Sequence, residues 1–161
     1  MFLSSNFLRG NFLIDNITHF EKYQLNVIDI AERLSLILRE NGDEFVDQLS
    51  TQEIVNSSQR FYIMCTIIDE FVEIVGMIAV DPTLGEISSL CVVPKYRNKG
   101  IGSRLVEYAL RVIKEHGVNL NASTYVQENN KVALQLFTNL GFITVDEIGT
   151  AKVLRKSIET E

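Results

Sequence analysis

The chain has 161 residues, 46% apolar and 22% charged, which suits one domain (1–161) with its own core and no need of disulfides or structural metal. A net charge of −6 argues against a nucleic-acid binder, and no stretch could span a bilayer. Acidity suits a cationic partner such as an amine, but it serves solubility equally well.

The first sixteen residues carry one strand signal, Phe12-Leu13-Ile14. Their apolar character is broken by Asn6, Arg9, Gly10 and Asp15, and the basic-then-apolar order of a signal peptide is missing, so a cytoplasmic location is expected. Over 18–39, Phe20, Val27, Ile30, Ala31, Leu34 and Leu38 share a helical stripe that Asn41-Gly42 would terminate. A second helical stretch is expected over 43–56, with a break at Ser50, where Ser50 and Glu53 have capping-box spacing. β-Branched and aromatic residues then dominate 61–68 and 71–80. Only Asp69-Glu70 divides them, which predicts a hairpin.

After the turn Asp81-Pro82-Thr83-Leu84-Gly85, a strand over 86–93 is cut off by Pro94. A basic loop with Gly100 and Gly102 follows, and from Ile101 a helix presents Leu105, Tyr108, Ala109, Val112 and Ile113 on one face up to His116-Gly117. A strand over 118–125, returning after that helix, should lie parallel to the strand over 86–93. Asn129-Asn130 opens another helix, with Val132, Ala133, Leu136, Phe137 and Leu140 inward and Gly141 as its stop. Strands over 142–147 and 151–158 close the chain. The expected fold is α/β (α+β): a mixed sheet, antiparallel in its first part and parallel at the glycine loop, with helices on both faces.

The loop is the chemically loaded part. Glycines let backbone approach a ligand, and a helix start leaves amide donors unpaired. Those donors, the positive end of the helix dipole and the flanking Arg97, Lys99 and Arg104 suit a phosphate group. Cys65 and Cys91 lie in apolar strands and read as buried, reduced thiols; two cysteines alone do not make a zinc site, and no metal is expected. A nucleophilic role for Cys91 is disfavoured, because burial raises a thiol's pKa.

Two segments resemble the GNAT superfamily of acyl-CoA-dependent N-acetyltransferases. R-N-K-G-I-G at 97–102 is similar to the family's pyrophosphate loop, and N-K-V-A-L-Q-L-F-T-N-L-G-F at 130–142 to its second conserved segment. The resemblance covers about 60–145; the N-terminal helices, 18–57, carry no motif. It implies acetyl transfer from acetyl-CoA to a primary amine by direct attack, without a covalent acyl-enzyme. The coenzyme A arm would pair with backbone at Leu90, Cys91, Val92 and Val93, in a gap between two splayed parallel strands. The pyrophosphate would rest on Asn98, Lys99, Gly100, Ile101, Gly102 and Ser103 beside Arg97. Asn130 would contact the arm, although asparagine is also a preferred helix cap. A backbone N–H would stabilise the oxyanion.

An alkylammonium must lose a proton before it attacks, so a general base is required. Glu86, fourteen residues before Gly100, occupies the place where a branch of this family carries its catalytic glutamate. Tyr125 and Glu128 are the alternatives. Phe137 stands where many such enzymes have a tyrosine that protonates the departing thiolate, so water, the amine's own proton, Tyr125 or Ser89 must serve instead. The acceptor is a small-molecule or peptide amine, and homodimers are common among similar proteins. Two rivals remain: a GNAT-fold module that binds acyl-CoA without catalysis, kept open by Phe137, and a nucleotide-binding α/β domain. The second is opposed by the 130–142 segment and by the strand end Ser123-Thr124-Tyr125, which lacks a ribose-binding acid.

Overall fold

The computed structural model describes residues 7–8, 12–41 and 48–158. Its eight strands are β1 (Phe7–Leu8), β2 (Phe12–Asn16), β3 (Phe61–Ile68), β4 (Phe71–Asp81), β5 (Glu86–Val92), β6 (Asn121–Gln127), β7 (Ile143–Ile148) and β8 (Ala151–Ser157). The helices are α1 (Val27–Asn41), α2 (Thr51–Asn56), α3 (Ile101–His116) and α4 (Lys131–Asn139). The strands form one sheet in the order β1-β2-β3-β4-β5-β6-β8-β7. Every adjacent pair is antiparallel except β5–β6.

Alternation along the strands divides the core between the two faces. Ile14, Met64, Ile78, Ile87, Ala122 and Leu154 pack under α3 and α4. Leu13, Ile63, Cys65, Met77 and Cys91 pack with Ile30, Leu34 and Leu38 of α1 and Ile54 of α2. This second core stops at β5. On the same face beyond it, Tyr125 of β6 and Ile143 of β7 are 56% and 66% exposed.

The hairpin β3–β4 turns at Asp69 and Glu70 with φ of 50° and 69°, so two non-glycine residues adopt the left-handed conformation of a tight hairpin turn. At Ser50 the expected capping box is complete: its hydroxyl accepts from Glu53 N–H (3.1 Å), and the Glu53 carboxylate accepts from Ser50 N–H (2.7 Å). The helix there starts at Thr51; residues 42–47 of the expected second helix, with Gly42, lie outside the described residues.

Two expected boundaries are corrected. The helix over 18–39 is two 3₁₀ turns, Ile17–His19 and Glu21–Tyr23, followed by α1 from Val27. Gln24, at φ 59°, breaks the run, and Asn26 and Asp29 restart it by exchanging side-chain caps at 2.9 and 3.4 Å. The strand expected over 118–125 runs Asn121–Gln127. Gly117 caps α3 in the left-handed region and Asn119 Oδ1 accepts from Asn121 N–H (3.1 Å), which leaves Val118 and Leu120 exposed in the turn.

Candidate active site

Strands β5 and β6 are joined at one register pair, Glu86 with Ser123, next to the bond from Ser123 N–H to Gly85 C=O (2.8 Å). No further β5–β6 pair follows, so the two strands part toward their C-terminal ends. Strand β5 is also bulged. Met77 faces Cys91 but Ala79 faces Ser88, so β5 holds one residue more than β4 across this interval, and Ser89 there has φ 55°. A bulge with a left-handed non-glycine residue re-aims the backbone, and such features concentrate at functional sites.

The glycine loop lies beyond the open end of β5. Pro94–Tyr96 form a 3₁₀ turn, Arg97 is extended, and Asn98 and Gly100 take φ of 61° and 79°. The first intrahelical bond of α3 runs from Arg104 N–H to Gly100 C=O (3.2 Å), which leaves the amides of Ile101, Gly102 and Ser103 without intrahelical acceptors. No side chain caps this end and its first turn has no acid. A Cβ on Gly100 would meet no atom within 4 Å, so space is open beside Gly100, the residue that precedes these donors. Uncapped donors, the helix dipole and free space together fit a phosphate.

Two struts hold the loop. Arg97, a candidate phosphate cation in the sequence, donates to two backbone carbonyls: Nε to Val92 (3.0 Å) and Nη2 to Asn41 at the end of α1 (3.1 Å). Glu73 of β4 accepts from Tyr96 Oη (3.1 Å) and pairs with Lys95 (2.9 Å); the hydrogen bond from Lys95 holds its carboxyl below the usual range. Lys95 and Lys99 also lie 5.2 and 5.5 Å from the Tyr96 ring centroid. The Glu73 strut is a long-range contact that no sequence spacing announces.

Among the other candidates, Leu90 and Val92 pack partly against the core under α3 and α4, Cys91 is buried on the opposite face, and Val93 N–H bonds Val75 C=O (2.9 Å). Burial pushes the Cys65 thiol up to about 12, an inert group. Asn130 caps α4 through Oδ1, accepting from Ala133 N–H (3.2 Å). Phe137 is 3% exposed, edge-on to Phe142 with ring centroids 5.1 Å apart, in the core that holds Ile101 of the loop. Glu86 lies where β5 and β6 still pair, and Tyr125 is two residues beyond its partner Ser123. Both belong to the face opposite α3 and α4, because their neighbours Ile87 and Val126 are buried under those helices. The structure thus sets Ile101 of the loop and Phe137 on the α3/α4 face of the sheet and Glu86 and Tyr125 on the opposite face. Arg155 of β8 joins this second group, paired in register with Ser123.

Residues 27–142 match the model of the acetyltransferase (GNAT) family. The chain belongs to the GNAT acetyltransferase family. An uncharacterized N-acetyltransferase of Chlorobaculum tepidum is 35% identical over 81 residues, 48% of this chain and 50% of that protein, so the match spans half the relative's length. Among solved structures, the chain is similar to the PaiA N-acetyltransferase of Thermoplasma acidophilum in complex with coenzyme A, at 19% identity and TM-score 0.67, with 91% of this chain and 98% of that one covered. It is similar also to Ard1 of Thermoplasma volcanium, at 15% identity and TM-score 0.71, with 93% and 99% covered. At such identities the likeness is one of fold. The parted parallel strands and the uncapped helix after β5 are where this GNAT chain departs from an ordinary mixed sheet.

Proposed function

We propose that this GNAT protein transfers an acetyl group from acetyl-CoA to a primary amine by direct attack, in the cytoplasm. The observation that carries the reading is the uncapped start of α3, opening beside the gap between β5 and β6. Amides of 98–103 would hold the pyrophosphate, with Lys99 alongside and Arg97 acting as a positioning residue through Val92 C=O. The backbone of 90–93 would pair with the pantetheine arm, and the PaiA structure with its bound coenzyme A supports a cosubstrate of this type. Asn130 spends Oδ1 on the helix cap, so its contact with the arm falls to Nδ2.

Glu86 would take a proton from the ammonium form of the acceptor. The free amine then attacks the thioester carbon, a backbone N–H near the bulge at Ser89 steadies the oxyanion, and the C–S bond breaks as the amide forms. Thiolate is a good leaving group, and with phenylalanine at 137 it takes its proton from water or from the amine. Tyr125 is the alternative proton carrier on the acceptor side. Phe137 also supports a second reading, an acyl-CoA-binding module without turnover.

Calorimetric titration with acetyl-CoA, followed by thiol release on a panel of amines, tests both. Binding with release is expected. Binding without release on any amine would favour the module, and absence of binding would overturn the whole reading.

A further inference from the structure

Four positions fall in one line across the sheet: Asp81 of β4, Glu86 of β5, Ser123 of β6 and Arg155 of β8. Their chain neighbours Val80, Ile87, Ala122 and Leu154 are all buried under α3 and α4, so the four side chains share the opposite face. The helices of that face cover β4 and β5 but not β6 and β8. The line therefore runs from half-covered to open: Glu86 and Ser123 are half-buried and Arg155 is exposed.

The charges along it are arranged unevenly. Asp81 is neutralised by Arg60 at 3.2 Å. Among the described residues, the side chains of Glu86 and Arg155 have no hydrogen-bond or ion-pair partner. Two inter-strand spacings put their backbones about 10 Å apart, within joint reach of two long side chains, yet the two form no ion pair, and Ser123 stands between them in register. Asp146, one row along β7, turns Oδ1 onto Glu147 N–H (2.8 Å). A carboxylate and a guanidinium on one open floor, each unpaired and separated by one residue, match a ligand with a cation at one end and an anion at the other. The guanidinium fork suits a carboxylate.

We infer that the acceptor is a small amine that also carries a carboxylate, its amino group at Glu86 and its carboxylate on Arg155. The inference rests on the acyl-transfer reading and names its acceptor class. Ser123 between them offers a hydroxyl to the ligand's middle. Peptide-sized acceptors fit the same floor only where a carboxylate lies this close to the reacting amine.

The test uses the full chain and matched pairs: amino acids of increasing chain length, each against its carboxamide, with thiol release and calorimetry on the coenzyme A complex. Wild type should favour the free acid by about ten- to a hundredfold in kcat/KM, the usual range for a hydrogen-bonded charge. Arg155→Met should erase the preference and Arg155→Lys restore part of it, with acetyl-CoA affinity and melting temperature unchanged. Equal use of acid and amide by wild type, a preference that survives Arg155→Met, or rejection of every carboxylate-bearing amine by a protein that binds acetyl-CoA would each overturn the assignment. Failure to bind acetyl-CoA would instead overturn the acyl-transfer reading beneath it.

Discussion

Gly102 and Leu136 are in contact at the limit of packing: a Cβ added to Gly102 would come within 2.9 Å of Leu136 Cδ1. The glycine lets α3 and α4 close on each other, whereas Gly100 serves the backbone, at φ 79° with no atom within 4 Å of its Cβ position. The loop's two glycines thus answer to different constraints.

Substitution should separate them. Gly102→Val presses on Leu136 Cδ1, the far end of a side chain that must give way, and is expected to cost about 1–3 kcal/mol of stability, as overpacking does. Gly100→Ala costs about 1–2 kcal/mol in backbone conformation alone and weakens acetyl-CoA binding by distorting the donors. Paired melting curves and calorimetry check this; Gly100→Ala with wild-type affinity would count against the phosphate cradle.

Glu86→Gln removes the proposed base and leaves its size. The rate should fall most at moderate pH and least at high pH, where the acceptor is already a free amine. The reading is a pH–rate profile, and one superimposable on wild type would remove Glu86 from the reaction.

Phe137→Tyr adds a hydroxyl to a side chain only 3% exposed. Turnover should rise by up to about 10²-fold if protonation of the departing thiolate limits the rate. A hydroxyl left unpaired beside Phe142 would cost about 1–3 kcal/mol of stability. Single-turnover kinetics distinguish a faster chemical step from a change in product release, and an unaltered step would mean another donor already serves.

The Glu73 strut should respond to pH with a defined sign. Its folded-state pKa is lowered, chiefly by the hydrogen bond from Lys95, so the contribution is present above the ordinary carboxylate pKa and is lost as pH falls through the lowered one. The pair is solvent-exposed, so the effect on global stability is small. Glu73→Gln should loosen the loop and weaken acetyl-CoA binding a few-fold at neutral pH. Amide exchange at 96–100 reports the loosening; identical protection in both proteins would dismiss the strut.

Much of the site was legible from residues alone because the signals were local. Pro94 ends β5, Gly100 supplies a positive φ, Asn130 caps α4 and Ser50 with Glu53 caps α2; each acts within a few residues of itself. The hairpin β3–β4 was visible for the same reason. The break at Gln24 is hidden in the sequence because the apolar stripe continues through it, and the sequence points to too early a start for β6 because Val118 and Leu120 look like strand residues while Gly117 and Asn119 hold them in a turn.

Only the tertiary structure decided what depends on register between distant segments. The extra residue at Ser89 exists relative to β4, and the gap exists because β5 and β6 pair only at Glu86 and Ser123. The guanidinium of Arg97 is committed to carbonyls of β5 and α1 by the packing of α1. Arg155, near the end of the chain, stands in line with Glu86 because β8 enters between β6 and β7. Composition and spacing pointed to a mixed sheet with helices on its faces and to a candidate anion loop, since backbone chemistry is written locally, and the family came from the resemblance of 97–102 and 130–142. The face that Glu86 shares with Arg155 was set by strand order, because a side chain's partners across a sheet are fixed by pairing and not by its own neighbours in the chain.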